Sequence, residues 1–396
     1  MIANLSIHLS EYYNVTIAIY NDTDKVVFEY KGEFVKLNLP YAEDTHNNPF
    51  HKRVIRSLSL LKQVRKLKKE KKTDVTISFM EASNIVNILT RRKDKIIISV
   101  RSYLSNEFAD IPRLKVFGTF IRFLYRRADH IVVPANLLKT DLVTNFNVPE
   151  NKVSLIYNFT DFSLVERLKQ SPLPDHHLKI FNGDPVIINI GRINFPKAQW
   201  LQPMALARVK KIIPRAKLVI IGDGHLKEKV YDTAVQCGLT IYEEGRNSKE
   251  DLDKNFDVYF LGFATNPFPY LSKSDVFLMT SLYEGFPNVL IEAMSCGLPV
   301  ISSDCKSGPR EILSPSTDIH LTTNTLEFAE YGLLIPVADS QGTGEGIFAD
   351  VAAEAVTAIL GDDNRYNLYS KKSVERASDF DARKIIAQWK ALIEEK

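Results

Sequence analysis

The chain has 396 residues, of which 45% are hydrophobic and 25% charged, with a formal net charge of +3; that is the profile of a globular protein long enough for two or three cores. Three cysteines without metal or disulfide spacing argue against a disulfide scaffold, no run of 18 apolar residues provides a membrane span, and the first residues lack a signal-peptide pattern, so a reducing cytoplasm is the expected compartment. The charge is uneven: residues 1–170 hold 27 Lys and Arg against 18 Asp and Glu, and the remainder 24 against 30, so an anionic surface is an expected partner of the first half.

In chain order, Ile2–Ser10 reads as a helix and Val15–Tyr20 as a strand. Phe50–Lys72 predicts a helix with apolar residues at 50, 54, 58, 61, 64 and 67 and ten Lys and Arg against one acid. It is either a solvated domain helix or a contact with a membrane surface. Nucleic acid is not an expected partner, because no binding module accompanies the charge. Arg113–Arg127 repeats the mixture of cations and large apolar residues. The strand Val75–Phe79 is followed by Glu81 and Asn84, and the strand Ile96–Val100 by Arg101. His130–Pro134 and Val153–Asn158 complete the first series of strands, and a second runs through Val186–Ile190, Leu218–Ile221, Val258–Leu261, Val276–Thr280 and Val300–Ser303. Strands alternating with helical patterns predict an α/β protein of two Rossmann-like domains facing each other across a cleft. The expected divisions are 1–170, a linker at 171–184, a second domain at 185–375 and a helical tail at 376–396. The eight histidines offer no metal spacing along the chain.

The most informative stretch is Ser281–Val300. Glu284 and Glu292 lie eight positions apart around a Gly285-Phe286-Pro287-Asn288 turn, between an apolar strand and a short helix that Gly297 can end. The free N–H groups and partial positive charge of such a helix start suit a phosphate. The two carboxylates suit sugar or ribose hydroxyls, which donate to them. Together these parts predict a nucleotide-sugar site. Arg192 and Lys197, just after a strand and Gly191, can neutralise a departing diphosphate. No Asp-x-Asp pair stands at the end of a strand of the second series, so neither a metal nor another cofactor is expected.

Glu284–Val300 closely resembles the signature of retaining glycosyltransferases of family 4, which have the GT-B fold; every fixed position of E-G-x-P-x-x-x-x-E-A-M-x-x-G-x-P-V is present. Val186–Arg192 with Lys197 looks like that family's phosphate site. Leu218–Gly224, with Gly222, looks like its next strand and turn, Tyr259–Gly262 its base-side loop, and Ser307–Ile312, with Glu311, a variant of its G-P-x-E-I segment. The resemblance implies that Glu284, Arg192 and Lys197 are catalytic. It implies donor contacts from Gly191, Gly222, Gly285, Phe286, Pro287, Asn288, Glu292 and Glu311, with Glu284 on the transferred sugar and Glu292 on the ribose. Arg101 stands where many members have a histidine; with Glu81 and Asn84 it is an acceptor-side candidate, whereas Arg310 is expected at the surface. The activity implied is retaining transfer of a hexosyl or N-acetylhexosaminyl group from a nucleotide-diphospho-sugar, UDP favoured over GDP. The acceptor would be a lipid-linked or polysaccharide glycan at the inner face of the membrane. The tail helix would cross back to the first domain. The family's opening strand and Gly-rich loop have no counterpart before Ile2, which leaves a non-catalytic scaffold of the same fold as an alternative; a sugar-nucleotide epimerase is disfavoured by the two-glutamate signature.

Overall fold

The computed structural model describes residues 1–20, 29–40, 49–105, 112–338 and 344–395. They form two compact units, Met1–Asn158 with Arg383–Lys396, and Phe159–Ala382.

In the first unit, β1 (Thr16–Ile19) and β2 (Glu33–Lys36) form a two-stranded parallel sheet, while β3 (Val75–Phe79), β4 (Lys95–Ser99), β5 (His130–Val133) and β6 (Val153–Leu155) form a four-stranded one in that order. Ile96, Ile97 and Ile98 on β4 and Ile131 to Val133 on β5 have no exposed surface, as expected of parallel strands covered on both faces. The helix Ala382–Glu394 contributes Trp389, which is fully buried with its ring 6.3 Å from that of Phe79. Lys95 Nζ donates to the Leu392 carbonyl near the end of that helix at 2.7 Å. The basic helix runs over Phe50–Glu70. Its inward stripe is Leu60, Val64 and Leu67 against Leu37 and Leu39, while Phe50, Val54, Ile55 and Leu58 stay exposed. The predicted stripe therefore holds only for the second half of the helix. Arg113–Arg127 falls largely in the helix Pro112–Tyr125; the side chains of its first turns, Arg113 and Lys115 included, lie outside the described residues.

The second unit contains an eight-stranded sheet. Its strands are β7 (Val186–Ile190), β8 (Lys217–Ile221), β9 (Ile241–Glu243), β10 (Val258–Phe260), β11 (Val276–Met279), β12 (Val300–Ser303), β13 (Glu327–Phe328) and β14 (Leu333–Ile335). The spatial order is β13-β14-β12-β11-β7-β8-β10-β9, parallel except for the β13–β14 pair. Residues 171–184, expected as a linker, fold with this unit, as does 159–170. Phe162–Leu168 is a helix capped by Asp161, whose carboxylate accepts from Leu164 N at 3.0 Å, and Asp175–Leu178 is a single helical turn. The proline pair at 172 and 174 breaks the chain between these helices. Thr160 N donates to the Phe380 carbonyl at 3.0 Å, so both ends of the unit are tied together.

Candidate functional site

The strand order switches sides at β7. From β7 the chain runs to β8 and the edge strand β9, sets β10 between them, then returns to place β11 on the other side of β7, continuing to β12, the edge strand β13 and, between those two, β14. The loops leaving β7 and β11 flank that point at the strands' carboxyl ends, where open α/β sheets hold their ligands in a crevice. Those two loops carry Gly191, Arg192 and Lys197, and Ser281 to Asn288.

The loops are joined from both sides. Leu282 N donates to the Pro196 carbonyl at 2.8 Å, and Thr280 Oγ1 to the Lys197 carbonyl at 3.0 Å. Across the join, Lys197 Nζ donates to Glu284 Oε1 at 2.5 Å, and Ser281 Oγ reaches the same oxygen at 2.7 Å. This ion pair is Lys197's only side-chain partner among the described residues, and it is partly open to solvent, at 26% and 10% side-chain exposure. Arg192 is exposed, and its guanidinium makes no ion pair among the described residues. The backbone of Arg192 is nevertheless fixed, since Gln199 Nε2 donates to its carbonyl at 2.9 Å.

After the turn, the helix Asn288–Ser295 begins with Pro287 as its N-cap residue. It ends in a Schellman motif: Gly297, at φ +82°, donates to the Met294 carbonyl, and Leu298 N to Ala293. Phe286 is buried edge-on against Phe380, ring centroids 5.8 Å apart, so its ring anchors the turn. Glu292, one turn into the helix, is half-buried; burial raises its carboxyl pKa, and the Lys197 charge offsets part of that rise. Lys197 thus acts on both glutamates.

Two close approaches explain glycines around the crevice. A Cβ on Gly222, at φ +140°, would stand 2.0 Å from the Gly191 carbonyl oxygen, and one on Gly308 would stand 2.4 Å from Pro287 Cδ. The loop after β12 therefore presses directly on the signature turn. It also binds it: Ser307 Oγ donates to the Gly285 carbonyl at 2.6 Å, and Glu284 N to the Lys306 carbonyl at 3.4 Å. Ser281 lies within the signature stretch and Ser307 opens the Ser307–Ile312 segment; Lys306 acts through its backbone carbonyl, which leaves no local sequence signal. Glu311 is buried in the helix Pro309–Leu313, whose carbonyls at 311 and 312 accept from Arg376. Arg310, expected at the surface, is buried at 5% exposure and held by Asp304 and Glu327. Burying a guanidinium requires paired acids on every side, and Glu327 arrives from a different strand.

The acceptor-side candidates belong to the first unit. Arg101 lies over the Phe79 ring at 5.1 Å and bonds Asn158 through Nη1, while its buried Nη2 has no hydrogen-bond partner among the described residues. Burial lowers its pKa to about 10, so it remains charged at neutral pH. Ser102 Oγ donates to Glu81 at 3.4 Å. Asn84 is fully buried: it accepts from Ser78 Oγ at 2.8 Å and donates to the Ser99 carbonyl at 3.0 Å. Its amide joins β3 to β4, and no atom of it is open to a ligand.

A parallel sheet with cations and carboxylates at its switch point suits a phosphorylated ligand, and comparison with known proteins gives the class, a glycosyltransferase of GT-B fold. Residues 1–164 match the family described as Glycosyltransferase Family 4, and residues 184–345 that described as Glycosyl transferases group 1. An uncharacterized glycosyltransferase of Methanocaldococcus jannaschii is 32% identical over 92% of this chain and 89% of its own length. The N-acetylgalactosamine-N,N'-diacetylbacillosaminyl-diphospho-undecaprenol 4-alpha-N-acetylgalactosaminyltransferase of Campylobacter jejuni is 30% identical over 79% of this chain and 74% of its own. The crystal structure of Anabaena HepE in complex with UDP and glucose superposes with a TM-score of 0.71 at 16% identity, over 100% of this chain and 96% of that one. The chain belongs to glycosyltransferase family 4. Among the described residues no helix is long and apolar enough to cross a membrane.

Proposed function

We propose that the protein is a retaining glycosyltransferase that moves a sugar, an N-acetylhexosamine by preference, from its UDP derivative to a polyprenyl-diphosphate-linked glycan. The observation that carries this reading is the pair of loops at the switch point, which joins Lys197 to Glu284 at 2.5 Å beside a helix start. The Campylobacter relative, which acts on a diphospho-undecaprenol glycan, supports the acceptor, and HepE, which holds UDP and glucose, supports the donor nucleotide. In the transfer, the bond from sugar C1 to the β-phosphate oxygen breaks. The acceptor oxygen bonds C1 on the face that the phosphate leaves, and its proton passes to that phosphate. Arg192, Lys197 and the helix start stabilise the diphosphate charge as it grows. Glu284 orients the sugar hydroxyls and Glu292 the ribose. Side-chain cations do the work often given to a divalent ion, so turnover is expected to survive EDTA.

Arg101 provides a positive charge on the acceptor side in this reading. The exposed Phe50 to Leu58 face of the basic helix rests on an anionic leaflet at the inner side of the membrane, bringing the crevice to an acceptor whose lipid remains in the bilayer. The test is incubation of purified protein with UDP- and GDP-sugars and a short-chain polyprenyl-diphospho-sugar, with the anomeric configuration of the product read by NMR. An α-linked product from an α-configured UDP-sugar is the expected result. An inverted product, or donor binding with neither transfer nor hydrolysis, would refute retaining catalysis.

A further inference from the structure

Away from the residues assigned to the donor, three potential metal ligands converge at the edge of the eight-stranded sheet: His176, His177 and Glu244, whose ligating atoms all lie within 4.8 Å of one another. His177 Nε2 stands 3.3 Å from Glu244 Oε2, and His176 Nε2 stands 3.5 Å from Glu244 Oε1. Tetrahedral ligands bonded at about 2.0–2.1 Å are roughly 3.3–3.4 Å apart, so both separations match those of atoms sharing an ion. They are longer than a good charged hydrogen bond. His176 Nε2 is buried and makes no hydrogen bond among the described residues, an arrangement that asks for an explanation in a folded protein.

The surrounding groups are those a metal site needs. A ligating histidine ordinarily uses its second ring nitrogen in a hydrogen bond that fixes ring and tautomer. His177 Nδ1 is 2.8 Å from the Tyr270 hydroxyl, a contact that holds the ring with Nε2 turned toward Glu244. The carboxylate is itself held, since Tyr242 OH donates to Glu244 Oε2 at 2.8 Å. His177 is buried and His176 half-buried, which leaves the cluster reachable from one side.

We propose that His176, His177 and Glu244 bind one divalent transition-metal ion, Zn²⁺ or an ion of similar preference, with water completing the shell. Two imidazoles and a carboxylate with an open fourth position suit Zn²⁺ and Co²⁺ and are poor for Ca²⁺ or Mg²⁺. The ion has a structural role. β9 is the edge strand of its sheet, and Glu244 immediately follows it. The two histidines belong to the turn Asp175–Leu178, which leads into β7. One ion would fasten that turn to the end of the exposed edge, independently of whether and how the crevice transfers sugars.

The test uses the full-length protein dialysed against a chelator and then titrated with Zn²⁺ or Co²⁺, followed by calorimetry, thermal unfolding and visible absorption. The expected result is one ion per chain, a Tm raised by roughly 5 °C or more at saturating ion, and a Co²⁺ spectrum of low coordination number without a thiolate charge-transfer band. His176→Ala, at a half-buried position, should lose the ion while keeping the metal-free Tm. Tyr270→Phe should weaken binding at least about tenfold by freeing the His177 ring. No saturable binding would overturn the proposal. So would binding that His176→Ala and Glu244→Gln leave unchanged, or a thiolate band that assigns the ion to Cys237.

Discussion

Each unit contains a lysine–carboxylate pair, and the pairs differ in everything but their chemistry. In the first unit, Lys68 and Asp94 meet at 2.8 Å with side-chain exposures of 4% and 1%. Lys68 Nζ also bonds Asn87 Oδ1 at 2.7 Å and the Asn87 carbonyl at 3.1 Å. Asp94 also accepts from Thr76 Oγ1 at 2.7 Å and Arg92 N at 2.8 Å. The lysine's donors are fully used, and each carboxylate oxygen has a partner. In the second unit Lys197 has one side-chain partner, Glu284, and both remain partly open to solvent. A closed pair contributes to the fold, because removing one member strands the other in a dry interior. An open pair at a strand-end crevice can exchange its partners for those of a ligand.

Breaking the closed pair should produce the largest effect. Lys68→Met should cost roughly 3–5 kcal/mol of stability, measured by denaturant unfolding, and Lys68→Met with Asp94→Leu should recover much of that loss. A single substitution costing less than 1 kcal/mol would show that the pair is not isolated from water. The pH dependence has a definite sign. Burial works to raise Asp94, but the bonds from Lys68, Thr76 and the Arg92 backbone outweigh it and leave its pKa below the ordinary 3.8. Its contribution is therefore complete above that value and is lost as pH falls through the lower folded value. The acid limb of the unfolding curve should flatten in Asp94→Asn.

Breaking the open pair should leave stability alone. Glu284→Ala is expected to lower kcat by at least about 100-fold, with Tm unchanged within a few degrees; wild-type turnover in that variant would remove the residue from the reaction. Unlike the buried pair, the double variant Lys197→Met with Glu284→Leu should recover nothing. Arg192→Ala should reduce kcat by about 10- to 100-fold and raise KM less, because diphosphate charge develops during bond cleavage. A change confined to KM would make Arg192 a binding residue only. The smallest effect concerns the basic helix. Replacing Lys52, Arg53 and Arg56 by Gln should each weaken sedimentation with anionic vesicles by about 1 kcal/mol, and high salt should do the same to wild type. Equal binding to neutral and anionic vesicles would reduce this helix to a solvated face.

The signature from Glu284 to Val300 was legible because its information is local. A strand, a proline turn, a short helix and a glycine in αL specify one another over a few residues, and the chemistry we propose falls in that same segment. Gly191 and Gly222 were legible for a related reason, since each stands at the end of an apolar strand. What escaped the sequence are pairings between side chains and separate elements, which no periodicity registers. Asn84 reads as an acceptor-side candidate after a strand and becomes a buried strap between β3 and β4. Arg310 reads as a surface cation until Asp304 and Glu327 enclose it.

By itself, then, the amino-acid order determined the ten apolar strands, the alternation that makes their sheets parallel, and the segment that carries the two glutamates, all consequences of periodicity and turn chemistry acting within about twenty residues; the short strands β2, β9, β13 and β14 carry no such pattern. Only the tertiary structure decided that Lys197 meets Glu284, that Lys68 is buried while Phe50 is exposed on the same helix, and that two adjacent histidines meet a glutamate 67 residues further on. The physical reason is desolvation. Whether a charge is a ligand, a strut or a solvated ornament depends on which distant groups exclude water from it, and that is settled only when the sheets close over their cores.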